Sequence, residues 1–220
     1  MKNFQIVLLS LLIIPGFTSF AQKSISDATL TFEINIQSAQ SQPMANDLNG
    51  ANFTLYLKGA LSRTDMVSSL GNEKTIRDGK TGNAVILKEY SGQKLMITLS
   101  KDEWEEKNKK KNDIVFTLSN ERKTLIGYNC SKATATLKDG SLLTVYYTKD
   151  LIAFNKDYDP TFKSIPGLPL QFEYETAKLK FIYVASKIDF NPVPAAKFEF
   201  PKSGYRVMTF SENKQGKKDL

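Results

Sequence analysis

Residues 30–37 read Leu-Thr-Phe-Glu-Ile-Asn-Ile-Gln, so every even position carries an apolar side chain and every odd position a polar one. Residues 51–58 show the same alternation, with the apolar side chains at the odd positions. A period of two places apolar side chains on one face of an extended strand and polar side chains on the other. These two stretches therefore predict β-strands.

The rest of the chain continues this pattern between short turns. Further strands are predicted over 62–67, 74–78, 85–87, 95–99, 114–118, 125–137, 142–148, 170–175, 180–190 and 205–210. Turns are predicted at 78–82, which holds two glycines, and at 138–141, which holds Asp-Gly. Within the 125–137 strand, Gly127 is interpreted as a bend or bulge. So many strands without βαβ spacing predict a mainly β domain with a meandering antiparallel sheet, which should curl into a barrel or around a helix.

One short helix interrupts the strands. Ser100 is a typical N-cap, and Glu103 three residues later completes the pattern of a capping box. Acidic residues then fill the first turn and lysines fill the last one, as the helix dipole favours. The helix is polar overall, and we expect it to lie across an opening or an edge of the sheet.

The amino-terminal end has the anatomy of a secretory signal peptide. Lys2 gives a positive start, residues 6–14 are apolar, and small residues at Ser19 and Ala21 suit a cleavage site before Gln22. The apolar run is shorter than the roughly 18–20 residues that a membrane span needs, and no second run reaches that length. The sequence therefore predicts export to the periplasm, with secretion or association with the outer membrane as alternatives.

The chain is accordingly divided into three parts. Residues 1–21 are expected to be the signal peptide, residues 22–212 a single β-rich domain, and residues 213–220 a flexible charged tail. The mature part is long enough to bury a core without disulfide bonds.

The residue types disfavour most catalytic chemistry. The chain has no histidine and one cysteine, which excludes Ser-His and Cys-His pairs and the usual zinc sites. Cys130 lies in a predicted strand, where a buried thiol is expected. Residues 107–111 form a basic run, which suits either a solvated helix end or an anionic membrane surface or acidic partner. We expect no enzyme activity, no cofactor, no metal and no nucleic-acid partner.

Two features leave alternatives open. The 14 phenylalanines and 9 tyrosines either pack the core or line a cavity inside the curled sheet. Residues 165–170 place two prolines and a glycine among aliphatic residues, so this stretch is not expected to pair as a central strand. It is interpreted as a core plug or as the rim of a cleft, with Leu168 and Leu170 inserted below. Gly167 would then allow a close backbone approach.

Several stretches resemble a known exported bacterial family. Residues 123–133 read Lys-Thr-Leu-Ile-Gly-Tyr-Asn-Cys-Ser-Lys-Ala, and further matching stretches are 63–66, 78–82, 139–140, 143–148 and 165–173. This series resembles domain-of-unknown-function family 4412 over nearly the whole chain after the signal peptide. Residues 167–170, Gly-Leu-Pro-Leu, are also similar to the motif of the related GLPGLI proteins, with Pro169-Leu170 where that motif has Gly-Leu.

The resemblance carries implications for fold and function. Both families look like distant relatives of periplasmic lipoprotein carriers and sorting proteins, which have an unclosed antiparallel barrel, a hydrophobic concave face and helices as a lid. It therefore implies a half-barrel with one or two short helices. It also implies a binding role, sheltering an acyl chain or lipoprotein or assisting envelope assembly. No catalytic residue can be transferred from it.

Five candidate ligand-binding residues, placed in a cavity or at its rim, are Trp104, Tyr128, Leu168, Leu170 and Phe172. The expected partner is a lipid, a lipoprotein or an envelope protein. The alternative function is an envelope scaffold whose sheet is fully packed. An apolar cavity of several hundred Å³ would favour the binding protein over the scaffold.

Overall fold

The computed structural model describes residues 22–38 and 50–216, and the predicted signal peptide lies outside these ranges. The strands are β1 (Lys23–Ile25), β2 (Asp27–Ser38), β3 (Asn52–Lys58), β4 (Leu61–Ser68), β5 (Gly71–Asp78), β6 (Ala84–Tyr90), β7 (Gln93–Leu99), β8 (Thr117–Leu125), β9 (Tyr128–Thr136), β10 (Leu142–Thr148), β11 (Leu151–Ala153), β12 (Leu168–Glu175), β13 (Leu179–Asp189) and β14 (Arg206–Thr209). The helices are α1 (Lys101–Asn112) and α2 (Phe210–Gly216), and short 3₁₀ helices span Lys156–Tyr158, Pro160–Phe162 and Ala195–Phe198.

Twelve of these strands form one sheet, in the order β14-β7-β6-β5-β4-β3-β2-β13-β12-β10-β9-β8. All neighbouring strands are antiparallel except β14, which runs parallel to β7. The strands β1 and β11 form a separate parallel pair. In the part of the chain that the structure describes, the edge strands β14 and β8 do not pair with each other. The fold is thus a mainly β, curled and unclosed half-barrel, as predicted.

The alternation of residues 30–37 fixes which face of β2 is buried. Leu30, Phe32 and Ile34 are at most 3% exposed, whereas Glu33 and Asn35 between them face solvent. Leu30 lies opposite Leu55 of β3 and Ile188 of β13, so apolar residues meet across three neighbouring strands. Full burial of each such side chain stabilises the fold by about 1.5–3 kcal/mol.

The convex face of the sheet has smaller apolar clusters that the carboxy-terminal segment covers. Val193 and Phe198 pack with Ile76 of β5. Tyr205 packs on a second cluster formed by β6 and β7. The segment between β13 and β14 is therefore held against the back of the sheet, whereas Phe210 of α2 packs with Trp104 of α1 on the concave face.

Helix α1 begins as predicted. The Glu103 backbone N–H donates to Ser100 Oγ at 3.3 Å, and the Ser100 N–H donates to Glu103 Oε2 at 2.8 Å, which completes the capping box. Trp104 and Asn108 are the buried residues of this helix. Trp104 packs with Ile86 of β6 and other residues of a small cluster, so α1 is attached to the sheet along a narrow stripe.

The predicted single strand over 125–137 is wrong. Ile126 and Gly127 both have positive φ, at 41° and 85°, and form a two-residue turn between β8 and β9. Such turns need positive φ at both central positions, and a β-branched residue rarely adopts it. The sequence therefore did not predict this hairpin, because the turn carries an isoleucine where an asparagine would have indicated it. The strand predicted at 114–118 also starts later, at Thr117.

The expectation that residues 165–170 avoid a central strand is wrong for its last three residues. Pro169 lies in β12, between β10 and β13, opposite Tyr147. The register of β10 shifts between Tyr146 and Tyr147, and this irregularity accommodates a residue that cannot donate a hydrogen bond.

The close approach expected at Gly167 is present. A Cβ at that position would lie 2.0 Å from the carbonyl oxygen of Thr148. Leu168 and Leu170 are at most 1% exposed and belong to the main core cluster, as the core-plug interpretation requires.

Two connecting segments are more regular than the sequence indicates. The connection between β10 and β12, for which no strand or helix is predicted, contains β11 and two of the 3₁₀ helices. Helix α2 extends to Gly216, so it includes the first four residues of the expected tail; residues 217–220 lie outside the described residues.

A candidate ligand cavity under helix α1

A cavity of about 510 Å³ lies between the concave face of the sheet and the carboxy-terminal half of α1. Strands β3, β4, β10, β12 and β13 form its floor, and the 3₁₀ helix at Pro160–Phe162 forms one side. It is lined by Phe53, Met66, Lys110, Lys111, Ile114, Leu137, Lys138, Asp139, Leu143, Asp159, Thr161, Phe162, Phe172, Tyr174 and Tyr183. The volume is within the range of small-molecule binding sites.

An aromatic cluster forms the floor of this cavity, with Phe172 at its centre. The ring centroid of Phe172 is 5.1 Å from that of Phe162 and 6.2 Å from that of Phe53. Phe53 in turn lies 5.8 Å from Tyr183 in an edge-to-face arrangement. Four rings from three strands and one 3₁₀ helix thus present a continuous apolar surface to whatever enters.

Tyr183 adds one polar group to the floor. Burial raises the pKa of its phenol above the ordinary value, so the side chain is neutral at physiological pH. Within residues 22–38 and 50–216 its hydroxyl has no hydrogen-bond partner. It is therefore available to donate to, or accept from, a polar atom of a bound molecule.

The acidic groups at the mouth of the cavity are already engaged. Asp139 accepts hydrogen bonds from the Ser141 backbone N–H at 3.0 Å and from the Tyr174 hydroxyl at 3.2 Å. The backbone hydrogen bond from Ser141 is the main reason that the pKa of Asp139 is lowered. Asp159 accepts a hydrogen bond from the Thr161 N–H at 2.8 Å and caps the 3₁₀ helix there.

The lysines at the mouth differ in their partners. Lys138 pairs with Asp113 at 2.9 Å. The ammonium groups of Lys110 and Lys111 form no ion pair or hydrogen bond with any residue that the structure describes. Both line the cavity and both are exposed to solvent. The mouth thus holds two lysines whose ammonium groups form no ion pair with the carboxylates of Asp139 and Asp159 that line the same cavity.

A second cavity, of about 210 Å³, lies between α1 and strands β3 to β6 and is lined mainly by polar residues. Phe53, Lys111 and Asp159 line both cavities, so the two spaces adjoin at these residues. Arg77 lies in the smaller cavity, with its guanidinium carbon 5.6 Å from the centroid of the Trp104 ring. Its Nη1 donates to the Asp157 carbonyl, whereas its Nε is buried without a hydrogen-bond partner.

The structure separates the five residues proposed from the sequence. Phe172 lines the larger cavity and Trp104 lines the smaller one. Leu168 and Leu170 are part of the main core cluster, and Tyr128 packs against it; these three line neither cavity.

Sequence analysis did not identify Phe53, Phe162, Tyr183 or the two rim lysines as site residues. Phe53 has the inward parity of its strand, and Lys110 and Lys111 stand in the basic run. These signals do not locate a site, because the sheet order is needed to bring β3, β2 and β13 side by side.

The single thiol of the chain, Cys130, lines neither cavity. Cys130 is fully buried, and burial raises the pKa of its thiol to about 11, so the predicted structural role fits its position. Among the described residues, no three His, Cys, Asp or Glu side chains are grouped as metal ligands would be. None of the described helices has the length and apolar character needed to cross a membrane.

These features define a class of structure, an unclosed antiparallel half-barrel with a helix across its concave face. The chain is similar to PNGF-II, with 12% sequence identity and a TM-score of 0.54. That match covers 87% of this chain and 33% of PNGF-II, so the chain spans about a third of that protein's length. At this identity the likeness concerns the fold alone.

Two further solved structures resemble the chain less well. An uncharacterised conserved protein from Thermus thermophilus has 11% identity and a TM-score of 0.49, over 84% of this chain and 91% of its own. The Mycobacterium tuberculosis lipoprotein LppX has 9% identity and a TM-score of 0.39, over 76% and 88%. No protein-family model matches the sequence, and comparison with curated proteins gives no match.

Proposed function

We propose that this protein is a non-enzymatic binding protein that shelters an apolar chain in the cavity between α1 and the sheet. The observation that carries the proposal is a cavity of about 510 Å³ whose floor is a cluster of aromatic rings. Moving an apolar chain from water onto such a surface is favourable by about 25 cal/mol per Å² of apolar area removed from solvent.

The cavity also favours a binding protein over the alternative function, an envelope scaffold. A scaffold protein with a fully packed sheet would fill the space beneath α1 with side chains. Here Phe53, Phe172 and Tyr183 are only half-buried and face a space that a ligand can occupy. This arrangement supports binding over scaffolding.

The place of action that we propose is the cell envelope. The signal-peptide pattern of residues 1–21 and the resemblance to family 4412 support it. In that compartment the sheltered chain would be an acyl chain, carried alone or as part of a lipoprotein.

A neutral fluorescent probe tests the binding function. N-phenyl-1-naphthylamine should bind the purified domain with an increase in fluorescence, because the cavity floor is a cluster of aromatic rings. Ile114→Trp should weaken this binding at least about tenfold, because the larger side chain would fill a space that Ile114 lines.

The neighbouring residue provides the matched control. Val115 is 82% exposed and lines neither cavity, so Val115→Trp should bind the probe as the wild type does. Thermal unfolding of both variants would establish that they are folded. A wild type that never binds the probe, or two tryptophan variants that bind it equally well, would contradict the proposed function.

A further inference from the structure

We propose that the sheltered molecule is an amphiphile whose head group is anionic, a carboxylate or a phosphate monoester, held by Lys110 and Lys111. This inference rests on the proposed function, because it places the head group of the same molecule whose chain occupies the cavity. It adds the chemical class of the ligand and the residues that select it.

The first argument for an anionic head group is the set of charged side chains at the mouth of the cavity. Asp139 and Asp159 line the cavity, but each already accepts a backbone N–H. Lys138 is paired with Asp113. Lys110 and Lys111 are left as cations without a described partner, so they are the groups at the mouth that can donate to an anion, although the ionised Asp139 and Asp159 line the same cavity. An anion placed there gains attraction without displacing an existing ion pair.

The second argument for an anionic head group is the position of Lys111. It lines both the apolar cavity and the polar one, and it shares this position with Phe53 and Asp159. An amphiphile whose chain lies on the aromatic floor has its polar end at this boundary. Lys111 is the unpaired cation at that point, and Lys110 lies beside it on the rim.

Stabilisation of the helix is the competing explanation for these lysines. Basic residues in the last turn interact favourably with the helix dipole, and Lys109 belongs to the same turn. Lys109 lines neither cavity, however. Lys109 can therefore stabilise the helix end as Lys110 and Lys111 do, but it cannot hold a head group at the mouth of the cavity. It is the matched control for these two lysines.

The test compares ligands that share one chain and differ in head group. A long-chain fatty acid, the monoalkyl phosphate, the primary alcohol and the alkylamine of the same chain length would each displace N-phenyl-1-naphthylamine from the wild-type protein at neutral pH. The acid, the phosphate or both should bind roughly three- to tenfold more tightly than the alcohol, and the amine more weakly than the alcohol. This preference should shrink as the salt concentration rises.

The variants assign the effect to residues. Lys110→Ala combined with Lys111→Ala should remove the preference for the anion, so that the acid, the phosphate and the alcohol bind about equally, whereas Lys109→Ala should keep the preference. Equal binding of all four head groups by the wild type would overturn the head-group assignment while leaving the proposed function intact. If Lys109→Ala lost the preference for the anion to the same extent, the preference would come from the general charge of the surface and not from Lys110 and Lys111. Failure of every ligand and of the probe would instead contradict the proposed function itself.

Discussion

Phe172 and Tyr183 lie directly opposite each other in the register of β12 and β13, and their rings stack with centroids 4.4 Å apart and planes inclined by 15°. Cross-strand partners of this kind stabilise a sheet beyond the apolar area that they bury. The same pair forms part of the cavity floor. One contact thus holds two central strands in register and shapes the site.

A double-mutant cycle should detect this contact. Phe172→Leu and Tyr183→Leu keep an apolar side chain but remove the stacked rings, so the two changes should be coupled by about 0.5–1.5 kcal/mol in the free energy of unfolding. Urea denaturation of the wild type, both single variants and the double variant would measure the coupling. Phe172→Leu combined with Tyr205→Phe, on the far side of the sheet, should give additive effects. Additivity in the first pair would show that the stacking adds nothing.

Gly167 should tolerate no side chain. A methyl group there would lie 2.0 Å from the Thr148 carbonyl oxygen, so β10 and β12 would have to separate locally. We expect Gly167→Ala to reduce the free energy of unfolding by about 3 kcal/mol or more.

Gly140→Ala is the control for Gly167→Ala. Gly140 has φ near +84° but open space around it, so alanine there should cost only about 1 kcal/mol of backbone strain. Equal losses in the two variants, measured by urea denaturation, would refute the close-contact explanation.

Alkaline pH should weaken the fold partly through Cys130. Burial raises the pKa of its thiol to about 11, above the ordinary value that it has in the unfolded chain. The folded state therefore favours the neutral thiol. The contribution of the neutral thiol to the free energy of unfolding is fully present below the pKa of the unfolded chain. It is lost as the pH rises from about 9 toward 11, and the whole loss is about 2–3 kcal/mol.

Cys130→Ala removes this titration. The difference in stability between the wild type and Cys130→Ala should therefore move in favour of the variant as the pH increases over that interval. Urea denaturation at a series of pH values would measure it. The same thiol should react with a maleimide only after unfolding; rapid reaction of the native protein would contradict its burial.

Helix α1 should open more readily than the sheet beneath it. Its buried residues are Trp104 and Asn108, and the rest of its surface is half-buried or exposed. Hydrogen exchange of peptides from residues 101–112 should therefore be faster than exchange of β2 and β13, because little apolar contact holds the helix down. Binding of N-phenyl-1-naphthylamine should slow it, and Trp104, the only tryptophan, would report the same event by fluorescence. Equal protection of α1 and β2 would exclude a readily opened helix.

Local patterns in the sequence were sufficient to predict most of the strands, the capping box and the burial of Cys130. Each of these depends on interactions within a few residues, or on the polarity of one side chain. Ile126 shows where such signals fail, because a residue that disfavours positive φ occupies a turn that requires it. The prediction for Pro169 fails for a different reason, because the place of this residue in a central strand depends on an irregularity in the partner strand.

The cavity could not be derived in the same way. Phe53 and Tyr183 are 130 positions apart in the chain, and they meet because β2 lies between their strands. Nothing local to either residue specifies that order. Phe172 was named as a candidate and lies in residues 165–173, which resemble family 4412, whereas the lysines were recognised as a basic run without a location.

The position of β2 has a consequence for how the chain reaches this structure. Strands β3 to β7 form successive local hairpins, but β2 also pairs with β13, and the Ser186 hydroxyl bonds to the Thr31 carbonyl across 155 residues. Loop closure over that distance delays the pairing, and folding dominated by such contacts takes milliseconds to seconds. Until then β2 and β13 each expose an unpaired edge, and the β13 of another molecule can complete the sheet instead. We expect refolding at high concentration to yield strand-exchanged dimers, detectable by size-exclusion chromatography, and dilution to suppress them.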